Sequence, residues 1–201
     1  MMTWAFSFIF PFLLTLVLLQ EIGLLWGRNL RGWGPALAVG LVGAGIVLLP
    51  VDGLPVARWL ISFNANFSVP LTALLFSRVV RTFFGIRLLD DRALMACWIV
   101  STAAGATLYP MALGLGRWDP YAAGWGFSWL FVLAFFVTSL LLVMKNHLAV
   151  VLVAVILAYN LRLLESTNLW DYLVDPLLVI VSCVGLGCWA RRKAQGARHK
   201  A

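Results

Sequence analysis

Charge is what this sequence has least of. Only 11% of its 201 residues are Asp, Glu, Lys or Arg, while 63% are hydrophobic, and mean hydropathy is +0.96. A soluble domain is about a quarter charged, so an ordinary water-facing surface cannot be built from this composition. Histidine is nearly missing too. His147 falls between two apolar runs and His199 near the C-terminal end, so no pair inside the runs could ligate haem or a metal. Cys97, Cys183 and Cys188 lie within apolar runs and form no C-x-x-C, which reads as small buried hydrophobes. No lysine lies deep in a run, which excludes a retinal Schiff base. The nucleophile-elbow, zincin and Walker patterns do not occur. The expectation is a chain without metal or cofactor, leaning away from an enzyme.

What the sequence does have is long apolar runs. Seven can be drawn, at 4–26, 35–51, 57–78, 93–113, 126–145, 148–163 and 170–190. A bilayer span needs about 20 mostly apolar residues, so the chain reads as one all-α domain, 1–201, with seven transmembrane helices; six is the alternative. The start, Met1 to Phe10, has no basic flank or small-residue cleavage site and is expected to open the first span rather than form a signal peptide. Arg28, Arg31, Arg78, Arg81, Arg87, Arg92 and Lys145 fall in alternate connections. With Arg191, Arg192, Lys193, Arg198 and Lys200 of the tail they make twelve of the fifteen basic residues. Basic residues collect on the cytosolic side, so the chain is oriented N-terminus out and C-terminus in, with 191–201 as a basic cytosolic tail. An even number of spans would put the uncharged N-terminus beside that tail. The net charge of +7 therefore reports topology, not nucleic-acid binding. The expected location is a cytoplasmic membrane of bacterial type. Nine of the ten Trp lie near run ends, as interfacial anchors would.

Within the runs, three features stand out. Gln20 and Glu21 lie near the inner end of the first, where the carboxylate can reach Arg28 or Arg31. Ala36, Gly40 and Ala44 of the second repeat every four residues, a face on which a partner helix could approach closely. Asn64, Ser68 and Thr72 of the third fall at i, i+4 and i+8, one polar stripe if the run is a single helix. Pro70 would then free a carbonyl near position 66. Asp90 is placed to cap the helix after the basic connection.

The outer connections carry the candidate site. They read R-W-D-P-Y at 117–121 and, from Arg162 to Pro176, R-L-L-E-S-T-N-L-W-D-Y-L-V-D-P. Asp119–Pro120 and Asp175–Pro176 each look like a helix cap followed by a first-turn proline. A helix starting at Pro176 has only about 15 residues before Arg191, roughly 22 Å, which is short of a 30 Å hydrocarbon core. Asp175 is then near the hydrocarbon boundary and needs a partner, with Arg162 expected first. The candidate ligand-binding set is Arg117, Trp118, Asp119, Tyr121, Arg162, Glu165, Trp170, Asp171, Tyr172 and Asp175, with Asn64 and Ser68 lining the same polar cavity. Trp and Tyr faces beside carboxylates suit a polar solute or a lipid-linked headgroup, glycan-like in particular. The alternatives are an accessory subunit docked through Ala36, Gly40 and Ala44, and, more weakly, a transferase or hydrolase using the outer carboxylates.

Overall fold

The computed structural model describes residues 2–198, and side chains from 8 to 195; His199, Lys200 and the end of the basic tail lie outside the described residues. The protein is all-α, 73% helix. Its helices are α1 (Met2–Leu25), α2 (Trp33–Leu48), α3 (Val56–Phe63), α4 (Val69–Phe84), α5 (Asp91–Ala112), α6 (Trp129–Val143), α7 (Leu148–Asn160), α8 (Leu169–Leu173) and α9 (Pro176–Arg198). A two-stranded hairpin, Pro50–Val51 with Leu54–Pro55, links α2 to α3, and a 3₁₀ turn, Pro120–Gly124, lies between α5 and α6. Among the described residues, Phe8–Leu25 and Asp91–Ala112 are long and apolar enough to cross a membrane. The apolar helices α2, α6 and α7 are shorter.

Two of the expected single helices are broken. The run at 57–78 divides into α3 and α4 around the non-helical stretch 64–68, so Asn64 caps the C-terminus of α3 and does not share a stripe with Ser68 and Thr72. Ser68 instead caps α4, its hydroxyl accepting from the Leu71 N–H, and Pro70 sits in the first turn, where no helical N–H is needed. The carbonyl at 66 is therefore not one that Pro70 frees from a helix. The run at 170–190 divides likewise into α8 and α9, with Asp175 at the break. Asp90 caps α5 through the Ala93 N–H, as expected. Residues 191–198 continue α9 as helix.

Helix pairing follows small residues. α5 and α9 run antiparallel along much of their length, with Gly105 taking Val179 and Gly185 taking Trp98 at two levels. α1 lies alongside α4: Phe10 stacks on Phe67 at 3.5 Å between centroids, and the Gln20 amide donates to the Val79 carbonyl. Glu21 pairs with Arg78 of α4 at 2.6 Å, not with Arg28 or Arg31, because that face of α1 is turned to α4. Of the cysteines only Cys97 is buried. Cys183 and Cys188 are exposed, although Cys183 lies 3.8 Å from the Thr102 hydroxyl of α5.

The close approach of α2 is made at Gly43. A Cβ there would stand 2.8 Å from Leu16 of α1, whereas one at Gly40 would meet nothing within 4 Å. Space is therefore open at Gly40 itself, although Ala36 one turn earlier packs against the cluster formed by Leu13, Leu16 and Val79. Gly43→Leu should destabilise the fold by about 1–3 kcal/mol through overpacking, while Gly40→Leu leaves the thermal midpoint of the detergent-purified protein unchanged. Equal loss in both variants would contradict this packing.

Candidate functional site

Asp175 is 2% exposed, and its partners are backbone groups. One carboxylate oxygen accepts from the Leu178 N–H at 3.0 Å, capping α9; the other accepts from the Ser68 N–H at 2.9 Å, at the cap of α4. The positive ends of two helix dipoles therefore meet on a single carboxylate. Ser68 and Thr72 belong to the same junction, the Thr72 hydroxyl donating to the Ser68 carbonyl. The expected pair with Arg162 does not form. Arg162 follows the end of α7 with φ of 50°, its side chain is exposed, and among the described residues neither it nor Arg117 makes an ion pair. Two N–H donors fixed by the breaks already satisfy the carboxylate, so no cation is required.

The two similar outer segments bind each other. The Tyr121 hydroxyl donates to the Asp171 carboxylate at 3.0 Å, the Trp170 indole donates to the Pro120 carbonyl at 2.8 Å, and the Asn168 amide donates to the Tyr121 carbonyl at 3.0 Å. Asn168, fully buried, also accepts from the Trp170 N–H and so caps α8. It packs directly on Gly124, where any Cβ would collide with its side-chain oxygen; the 3₁₀ turn can close on Asn168 only because that position is glycine. Tyr172, also fully buried, anchors the loop before α8: its hydroxyl accepts from the Leu164 N–H and donates to the Ser166 carbonyl. The Ser166 N–H in turn donates to Asn66, tying this loop to the α3–α4 break. Burial, and then the field and hydrogen bond of Asp171, push the Tyr121 phenol up to about 12, so it stays a donor at neutral pH.

The predicted residues thus separate into two groups. Ser68, Tyr121, Trp170, Asp171, Tyr172 and Asp175 lie in one connected patch with Asp119, which caps the 3₁₀ turn through the Tyr121 N–H. Asn64 lies at the α3–α4 break, with its amide nitrogen buried and unpartnered. Arg117, Arg162 and Glu165 are exposed and, among the described residues, make no side-chain hydrogen bond. Trp118 is exposed and tilts onto Trp129, with centroids 5.6 Å apart. The polar groups largely satisfy one another, and the space they cover is apolar.

That space is a cavity of about 420 Å³ between α5, α6 and α7, within the range of small-molecule sites. Cys97, Leu148 and Thr138 line its deep end, and Trp118, Pro120, Trp129 and Trp170 line the end beneath the loops. α5 packs on α9 and α7, and α6 packs on α7 and the 3₁₀ turn, leaving a gap between α5 and α6. Exposed Ile99, Val100 and Leu133 line the cavity along with buried Leu108, Leu130 and Val155, so it runs from the surface inward. On α5, the Tyr109 hydroxyl is buried and has no hydrogen-bond partner among the described residues. Sequence reading missed this cavity and left Asn168, a possible helix start, out of the candidate site. The cavity has no polar signature, but T-N-L-W-D carries a legible Asx cap.

Asp175→Asn should leave the Ser68 or Leu178 N–H facing an amide and cost about 1–3 kcal/mol of stability. Asp52→Asn should be near neutral, because Asp52 is an exposed hairpin residue with φ of 50°, a conformation Asn tolerates. Thermal unfolding in detergent compares the two, and equal midpoints would remove Asp175 from its junction role. No family model, curated protein or solved structure matches this chain.

Proposed function

We propose that this is a multi-pass membrane protein that takes one hydrocarbon chain of a lipid or lipid-linked ligand into the cavity between α5, α6 and α7. The ligand's polar head sits at the loops around Trp118, Asp119, Tyr121 and Asp171. The observation that carries this reading is the cavity itself, apolar along its length, open at the side between α5 and α6, and roofed by aromatic side chains under a polar patch. Its run along α5 from Cys97 to Leu108 is about 16 Å at 1.5 Å per residue, close to the depth of one leaflet of a 30 Å core. Asp171 is half-buried and keeps acceptor capacity beyond its bond to Tyr121, and the unpartnered Tyr109 hydroxyl supplies a donor nearby.

Membrane placement with seven crossings, N-terminus out, is part of the same proposal. α6 is apolar on every side, yet Phe135, Phe136 and Leu140 are exposed, as are Leu41 of α2 and Val150 of α7. A helix hydrophobic all round belongs inside a protein or in lipid, and a monomer in water does not leave so much apolar surface open. Exposed Trp26, Trp33 and Trp189 lie at the basic end and exposed Trp59, Trp118, Trp125 and Trp129 at the other, which fits two interfacial girdles. The short helices α6 and α7, about 22 and 20 Å long, fit local thinning or the addition of flanking loop residues. α3 with α4 and α8 with α9 each make one crossing from a short outer helix and a long one.

Two measurements test this. A reporter at Gly116 should read external and one after Lys200 cytosolic; a cytosolic reading at Gly116 would overturn the orientation. Native mass spectrometry of the purified protein should find about one retained lipid-like ligand per chain, and Ala104→Phe with Ala134→Phe should expel it by filling the cavity while leaving the fold intact. A parent that retains nothing, or a filled variant that retains as much, sinks the chain-binding reading.

A further inference from the structure

At the basic end of the bundle, the α1–α2 loop folds back over the last turns of α4. The Gly32 N–H donates to the Phe83 carbonyl at 2.8 Å, and the Arg28 N–H donates to the Gly23 carbonyl at 3.0 Å. The Arg31 N–H donates to the Asn29 side chain at 3.0 Å, which tightens the loop. These bonds hold Arg28 and Arg31 beside Arg78 and Arg81 of α4. The four arginines, with Asn29 and Thr82, line a pocket of about 280 Å³.

Charge balance is what makes the pocket notable. Glu21 supplies one negative charge and gives it to Arg78. The C-terminus of α4, where Arg81 stands in the last turn, supplies about half a charge more. With the C-terminal end of α1, whose Leu24 lines the pocket, counted as well, four guanidiniums exceed these by about two charges. Among the described residues Arg28, Arg31 and Arg81 form no ion pair. Topology explains why arginines are on this side, but it does not explain why four from two separate elements are fixed around one hollow when the connection 85–90 lies open beside them. A phosphate group answers that arrangement. It carries one charge as a diester and up to two as a monoester, and its oxygens match the planar guanidinium fork.

We infer that this pocket binds a phosphate group, and that its source is the headgroup of an anionic phospholipid in the inner leaflet. Leu24 and Leu30 line it, and Leu25, Trp26 and Trp33 are exposed on the chain segments that flank its lining residues, apolar surface that suits acyl chains and not a free ion in water. Basic hollows between helices at the cytosolic face are suited to such headgroups. The lipid source rests on the membrane placement proposed above; the phosphate site does not.

The full-length protein in zwitterionic nanodiscs is titrated separately with phosphatidylglycerol and with inorganic phosphate, reading bound probe and thermal midpoint. Phosphatidylglycerol should bind saturably and raise the midpoint. Arg28→Gln with Arg81→Gln should weaken that binding about tenfold or more, as lost charge-assisted bonds would. Glu21→Gln should tighten it several-fold by releasing Arg78, a gain that a misfolded variant cannot mimic. Arg87→Gln with Arg92→Gln, on the same face but outside the pocket, should leave it unchanged. Saturable binding of inorganic phosphate alone, with the same dependence on Arg28 and Arg81, would keep the site and overturn its lipid source. Binding of neither probe, or equal loss in the Arg87 and Arg92 control, would overturn the site itself.

Discussion

The Asp175 carboxylate is the point on which the two halves of the bundle depend. Its oxygens close the N-termini of α4 and α9 at once, 107 residues apart in the chain. Both helices follow a break, and a break in an apolar bundle leaves N–H groups that neither helix nor solvent can satisfy. One buried acid answers both. Its desolvation is offset by two hydrogen bonds and two dipole ends, so it needs no arginine. An arginine would in fact compete with the backbone donors for the same lone pairs.

The consequences spread outward from that junction. With α4 and α9 fixed relative to one another, α3 packs on α1 and α2, α8 packs on α7, α4 and the 3₁₀ turn, and the loops between find partners among themselves. They do so through Asn168, Tyr121, Trp170, Tyr172 and Ser166, nearly all using side chain to backbone bonds. Such a network orders the loops without leaving a polar hollow. Beneath it, α5 packs against α9 with two glycine contacts, and α6 packs chiefly on α7 and the 3₁₀ turn. The cavity is the space this division leaves.

Much of this was legible in the sequence, and the parts that were not share a cause. Helix content, the caps at Asp90, Asp119 and Asp175, and the kinship of the two outer segments all rest on local patterns. The break at 64–68 was equally written, since S-V-P repeats the logic of D-P: a capping side chain, then proline within the first turn, with a pre-proline residue that disfavours helix. It was obscured because the apolar run continues through it, and hydropathy is blind to backbone direction. The partner of Asp175 was out of reach for another reason. Backbone donors carry no sequence identity, so a search confined to cations could return only Arg162 or Arg117. The choice of Gly43 over Gly40 as the contact depends on helix rotation, which a four-residue repeat leaves open.

The two ends of the bundle solve opposite problems. At the acidic end, carboxylates outnumber arginines, yet Asp119, Asp171 and Asp175 are each satisfied by N–H or O–H donors of the fold. Little charge within that patch is left unanswered, so selectivity of the proposed ligand site has to come from shape and from the few groups with spare capacity, Tyr109 and Asp171. At the basic end the fold does the reverse. It spends backbone bonds on holding Arg28 and Arg31 in place and offers them only one carboxylate, which Arg78 already takes. Rigidly held like charges raise the energy of the folded state, and that cost falls when an anion arrives. The acidic end thus answers its buried carboxylates from within the fold, whereas the basic end keeps an excess of positive charge that the proposed anion would answer.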